Sequence, residues 1–204
     1  MPGKMKATNQ QLLLETLEKK VELHIQQAVS VYQNLREEEL LGPAADGGWS
    51  IAQCLAHLNS YGEYYLPRIK AGLESQEGMP ASSTYRSSWL GSLFTRMMDP
   101  ATDNKKYKAI KKHMPPLELD ANAVVAEFLR QQEELLLYIR SSRNADLGSI
   151  QIPISILKWI HLKLGDVLQF LIAHNHRHLQ QANRNIPMPA NRMQDHVAPG
   201  LIAC

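Results

Sequence analysis

Cysteine is almost missing from this chain: Cys54 lies within a helical pattern and Cys204 is the last residue. Two thiols cannot make a disulfide framework. One bridge can be drawn between them, but a reduced, cytoplasmic protein is the simpler expectation. Long hydrophobic runs are missing too. The richest, 150–160, is broken by Pro153 and Lys158, so nothing reaches the length of a membrane span. Residues 1–20 mix Lys and Glu into their leucines and lack a clean apolar stretch, which argues against a signal peptide. An excess of one charge is also lacking. The 22 basic and 20 acidic residues leave +2, which makes no electrostatic case for nucleic acid. What is present is 204 residues, 44% of them hydrophobic, enough for one domain with a continuous core. The expected core spans about 8–186, with 187–204, rich in proline and without periodicity, as a surface tail.

Four stretches carry helical periodicity. From about Thr8 to Leu40, Leu14, Leu17, Val21, His24, Ala28, Val31 and Leu35 recur at three- and four-residue steps, which predicts one long amphipathic helix. The turn at 42–48 ends it. Ser50 followed by Gln53 is a capping box that starts a second helix, with Ile51, Leu55, Leu58, Gly62 and Tyr65 on its apolar face. A third runs within 117–143 from an N-cap at Asp120, with Val124, Phe128, Gln131, Leu135 and Ile139 as its stripe. The last begins near Leu164 or Gly165 and reaches Asn185, with Asp166 suited to the positive end of the helix dipole. Residues 153–160 fit either a short strand or an extended lead-in. The pattern weakens between 72 and 116: 75–88 reads as loop, and 89–98 as a short helix over one end of the bundle. Five lysines (Lys105, Lys106, Lys108, Lys111, Lys112) surround Tyr107, either as a solvated basic loop or as a neutraliser of an acidic ligand. A connection of this length is often functional, for example as a lid. The expected fold is therefore all-α, a four-helix bundle with a long connection between helices 2 and 3.

The chemistry concentrates in the last helix. At about 100° per residue, His174 and His178 differ by roughly 40° and stack one turn apart, whereas His176, about 200° from His174, points away. Val167 and Leu171 share the face of the pair, so both imidazoles continue a core-facing stripe. Such a pair either shares one divalent metal or forms a polar patch in the core. His57, flanked by Cys54 and Tyr61 one turn either side, looks inward from the second helix. It is a third ligand or a histidine bonded to a buried carbonyl. His24 is a lone histidine on a buried stripe, kept as a pocket-lining candidate.

Trp49-Ser50 followed by Ala56-His57-Leu58, and His174-Asn-His-Arg-His178-Leu-Gln-Gln181 near the end, resemble the DinB/YfiT-like superfamily of four-helix bundles. Pro153 before an apolar run and Asp166 before Phe170 support the resemblance, which covers about 8–186. It implies a divalent metal, zinc or nickel, held by His57, His174 and His178, with water or substrate completing the shell. It also implies activity of the kind found among its characterised members: S-transferases using low-molecular-weight thiols such as bacillithiol or mycothiol, and a thiol-dependent isomerase. The implied partners are a small-molecule thiol and an electrophilic substrate. Dimers are frequent among such proteins, and the sequence leaves the oligomeric state, a homodimer included, open.

On this reading Tyr61 is placed to donate to the substrate and Gln181, one turn past His178, to orient a ligand. Two alternatives stay open. A hydrolase would use metal-activated water, but no HExxH is present and Glu63 is off the helical spacing from Tyr61. A non-catalytic metal- or ligand-binding protein would close the site with a fourth ligand, His24 or Cys54.

Overall fold

Asn9 opens the first helix by accepting from the Leu12 N–H at 2.9 Å, so one of the orphan donors of the first turn is satisfied. The computed structural model describes residues 6–45, 47–78, 80–103, 105 and 107–186. The tail from 187, with Cys204, and Lys106 of the lysine run lie outside the described residues. Helix α1, Gln10–Ser30, buries Leu14, Leu17, Val21, His24 and Ala28, the stripe expected from the spacing. It does not continue to Leu40. Asn34 donates its side-chain amide to the carbonyls of Val29 and Ser30 at 3.0 and 3.3 Å. Those last-turn acceptors are satisfied from outside the helix, and the chain bends. Tyr32 turns inward, and its hydroxyl donates to Asn183 at 2.8 Å. A separate short helix, α2 (Glu37–Leu41), follows, with the Arg36 N–H donating to the Glu39 carboxylate at 2.8 Å.

Both halves of the capping box at the start of α3, Ile51–Glu74, are formed. The Gln53 N–H donates to Ser50 Oγ at 3.1 Å, and the Ser50 N–H to Gln53 Oε1 at 3.0 Å. Helix α5, Ala121–Ser141, starts at Asp120, which accepts from the Ala123 N–H at 2.9 Å. Its buried stripe runs through Val125, not Val124. Helix α6 spans Leu164–Asn183. Helices α1, α3, α5 and α6 make the four-helix bundle. Two antiparallel pairs are minor: β1 (Thr8–Asn9) with β2 (Thr84–Tyr85), the latter inside the stretch expected to be loop, and the hairpin of β3 (Gln151–Pro153) with β4 (His161–Lys163). Of 153–160 only Pro153 is in a strand, and 154–160 forms the hairpin loop, neither a strand nor a lead-in to the last helix. Among the described residues no helix is long and apolar enough to cross a membrane.

Helix α4, Trp89–Met98, lies along the flank of α6 and not over one end of the bundle. Phe94 meets Phe170 at 6.3 Å, and the Met97 carbonyl accepts from Arg177 at 3.1 Å, so the two helices run in the same direction. Gly91 makes this approach feasible, because a Cβ there would come within 2.1 Å of the Asp166 carboxylate. Asp166 itself is fully buried. Its oxygens accept from the Tyr85 hydroxyl at 2.6 Å, the Ser88 N–H at 3.0 Å and the Ser88 hydroxyl at 2.7 Å. The residue expected to serve the helix dipole is thus also the knot that ties the connection to the bundle.

The apolar interior falls into two clusters. One gathers Leu14, Leu17, Val21, Tyr65, Ile69, Leu135, Ile139 and Leu168. The other gathers Ala28, Tyr32, Ile51, Leu55, Phe128, Leu179 and Ala182. Between them, at the same level of all four helices, lies a buried polar layer: His24 from α1, His57 and Asn59 from α3, Gln131 and Gln132 from α5, His174 and Asn175 from α6. Asn175 donates to Gln132 at 2.9 Å, Gln131 to the Asn59 carbonyl at 3.1 Å, and Asn59 to the Val124 carbonyl at 3.0 Å. Gly62 gives Gln131 its space, since a Cβ there would sit 1.8 Å from the Gln131 side-chain oxygen.

Asp166→Ala removes three hydrogen bonds to one carboxylate and strands a buried tyrosine hydroxyl. The expected loss of unfolding free energy, measured by chemical denaturation, is about 3 kcal/mol, against about 1 kcal/mol for Tyr85→Phe. Equal losses in the two variants would show that Ser88 contributes nothing to the knot.

Candidate metal centre

Helical spacing brings His174 and His178 to one face of α6, and the α3–α6 packing sets His57 opposite them. Their ligand nitrogens all lie within 4.8 Å of one another, the one such three-residue group among the described residues. His57 Nε2 is 3.2 Å from His174 Nε2. The ring centroids of His57 and His178 are 4.6 Å apart, and those of His174 and His178 4.7 Å.

The hydrogen bonds on the far side of the rings set the tautomers. A carbonyl can only accept, so His57 Nδ1 carries the proton that it donates to the His113 carbonyl at 2.7 Å. His178 Nδ1 likewise donates to the Gln181 side-chain oxygen at 3.0 Å. A neutral imidazole protonated at Nδ1 presents a bare lone pair at Nε2, so His57 and His178 both offer Nε2. His174 Nδ1 is buried without a partner, and its Nε2, 3.2 Å from the bare Nε2 of His57, donates to it in the metal-free protein, a proton that a metal would displace. Burial holds all three rings in the neutral state that a metal requires: His178 is pushed down to about 3, His57 below its ordinary value, and His174, with two imidazole neighbours, well below it.

This donor set fits a divalent ion such as zinc. Two nitrogens on one tetrahedral zinc, each about 2.05 Å from it, would be separated by about 3.3 Å, close to the 3.2 Å found. The cluster lines a cleft of about 640 Å³ together with Trp49, Tyr61, Gln181 and residues 107–110 of the connection. A shell of three imidazoles beside an open cleft leaves one position for a small ligand.

The proposed fourth ligands do not join the group. His24 lies on the other side of α6, its ring stacked on His176 at 5.9 Å, so it does not line the cleft. Cys54 is buried in the second apolar cluster, where desolvation raises its thiol to about 12. Tyr61 does line the cleft, with its ring 4.5 Å from that of His174 and its hydroxyl pushed up to about 12 by burial. Gln181 lines it too, but its hydrogen bond is to His178. Of the lysine run, Lys108 lines the cleft, whereas Lys112 lies over the Tyr64 ring at 4.6 Å.

Two residues were given no part in the site by the sequence reading, Trp49 having entered it only through the family motif and the helix start. Trp49 packs on both His57 and His178, with ring centroids 4.9 and 5.8 Å away. Its place immediately before the N-cap of the His57 helix was the available signal. His113, buried in the connection, stacks on Tyr61 at 4.0 Å. It sits outside every periodic stretch, so spacing offered no signal for it.

The family model of the DinB superfamily matches residues 20–182 of the chain. Among solved structures, the chain is similar to YfiT from Bacillus subtilis, described as a probable metal-dependent hydrolase with an unusual four-helix bundle topology. The identity is 18% and the TM-score 0.48, over 86% of this chain and 85% of that one. No curated protein matches.

Histidines held below their unfolded value of about 6.5 bind fewer protons in the folded state than in the unfolded one. Stability therefore falls as pH drops from about 6.5 towards the folded values, near 3 for His24 and His178. For the chelator-treated protein, each such group contributes a slope of up to about 1.4 kcal/mol per pH unit. Denaturation midpoints measured from pH 7 to pH 4.5 should decline, and His24→Leu should flatten the decline. Parallel curves for the two proteins would show that His24 is not held neutral.

Proposed function

Because the chain belongs to the DinB superfamily, we propose that His57, His174 and His178 hold one divalent metal, zinc or nickel. We further propose that the protein is a metal-dependent enzyme transferring a low-molecular-weight thiol of the bacillithiol type to an electrophile bound in the adjoining cleft. The observation that carries this reading is the direction of the lone pairs. His57 and His178 both commit their Nδ1 protons to protein acceptors, so their Nε2 atoms face His174 and the cleft as bases.

A divalent metal bound there supplies Lewis acidity, which keeps a thiol in its thiolate form near neutral pH. The chain's own residues do the rest. Trp49 covers two of the imidazoles and narrows access for water. Tyr61, with its hydroxyl raised to about 12, stays protonated and can donate a hydrogen bond to charge developing on the electrophile. Gln181 holds His178 in the tautomer that leaves Nε2 free.

The carboxylates favour thiol transfer over hydrolysis. Attack by water calls for a base to take its proton. Among the described residues lining the cleft, the one carboxylate is Asp103, which already accepts from the Tyr107 hydroxyl at 2.7 Å and the Lys105 N–H at 2.8 Å. A thiol gives its proton to bulk water on becoming a thiolate, before it attacks, and so needs no such base.

Purified protein is expected to carry about one divalent ion per chain, and His174→Ala to lose it; equal metal content in the two would remove the site. With a chromogenic electrophile and a panel of biological thiols, one thiol should be consumed in a chelator-sensitive reaction. Tyr61→Phe should lower kcat on the order of 100-fold with metal content unchanged. Metal-loaded protein that consumes no thiol would favour the binding-protein reading, and turnover of an ester without thiol would favour the hydrolase.

A further inference from the structure

His113 is buried although it lies between exposed Lys112 and exposed Met114, in the connection from α4 to α5. It is held against α3 in three ways. Its backbone carbonyl accepts the Nδ1–H of His57 at 2.7 Å. Its ring Nδ1 donates at 3.0 Å to the hydroxyl of Ser60, whose own proton goes to the His57 carbonyl at 2.7 Å. Its ring stacks on Tyr61 at 4.0 Å. Its neighbour Lys112 lies over the Tyr64 ring at 4.6 Å and reaches the Ser155 carbonyl at 3.5 Å.

The three histidines of the cluster depend differently on their surroundings. The outer partner of His178, Gln181, lies in the same stretch of chain three residues on, so that hydrogen bond forms without a distant segment. His174 Nδ1 has no outer partner. His57 alone takes its outer partner from a distant part of the chain, 56 residues away. Resting on the metal reading above, we propose that docking of residues 107–116 and metal binding are linked through His113, which acts as a positioning residue for His57. With the carbonyl in place, the His57 proton stays on Nδ1 and Nε2 is bare. With the segment undocked, the ring is free to turn and its proton to move to Nε2, where it blocks coordination. Linkage is reciprocal: the factor by which docking raises metal affinity is the factor by which metal favours docking.

The segment contains amides that report on docking. The His113 N–H donates to the Ile110 carbonyl at 2.8 Å and the Met114 N–H to the Lys111 carbonyl at 3.3 Å, in the single turn Lys111–His113. The experiment combines zinc titration calorimetry with hydrogen–deuterium exchange of peptides covering 107–116 in the full chain, with zinc and with chelator. Zinc is expected to slow exchange there on the order of 10-fold, and His113→Ala to lower zinc affinity by about 10- to 100-fold. In that variant the zinc-dependent slowing should vanish while exchange in α5 is unchanged. His113→Asn, whose side-chain amide can still donate to Ser60, should recover most of both effects. Exchange at 107–116 that rises in His113→Ala equally with and without zinc, with affinity unchanged, would mark a purely structural residue and overturn the linkage. Zinc bound by the wild type with no change at 107–116 would overturn the linkage alone. No zinc uptake at all would overturn the metal reading and the linkage with it.

Discussion

Seven polar side chains buried at one level of a helix bundle must find partners at that level, and this constraint fixes the register of the four helices. Taking an amide or imidazole out of water without a hydrogen bond costs a few kcal/mol, of order ~1–3 in proteins. A slip of one turn in any helix would leave several such groups facing leucines. Asn175 with Gln132, and Gln131 with Asn59, are satisfied across helix pairs, so each bond specifies an alignment that apolar packing alone would leave loose. The layer is not fully satisfied. Asn59 Oδ1, His24 Nδ1 and His174 Nδ1 lack partners, and the last belongs to the imidazole cluster that opens on the cleft.

Much of this was legible in the sequence because helical periodicity reports burial. The stripe from Leu14 to Ala28, the capping box at Ser50 and the inward pair His174 and His178 follow from spacing and elementary cap chemistry. For His57, two readings were open, a ligand and a histidine bonded to a buried carbonyl. The carbonyl reading is realised, since Nδ1 meets the His113 carbonyl, and it leaves Nε2 of the same ring in the cluster proposed to hold the metal.

The failures share a cause as well. The bend after Ser30 was invisible because Val31 and Leu35 keep the apolar spacing through it; the informative residue was Asn34, which acts on the helix end by a side-chain bond. Helix α4 was misplaced because periodicity says that a helix is amphipathic and not which neighbour it meets. Gly91 and Asp166, far apart in sequence, decide that. His113 was missed for the same reason, since its burial comes from tertiary contacts of an irregular segment. On α6, Arg177 shows how closely the connection and the cluster are joined. It stands between His176 and His178 and donates to the carbonyls of Met97, Asp103 and Lys105.

The placement of two imidazoles four residues apart on one helix, with the third supplied by α3, has a consequence for the denatured chain. A pair at that spacing is a chelate whenever its few residues are transiently helical, whether or not the bundle has formed. Any ion that the native site takes up will therefore also have some affinity for the unfolded ensemble. Its stabilising effect will be smaller than native affinity alone implies, because only binding in excess of that to the unfolded chain counts. With an ion bound, the same local pair would favour nucleation of α6 before α3 arrives. Long-range docking of His57 then adds the discrimination between a folded and an unfolded partner.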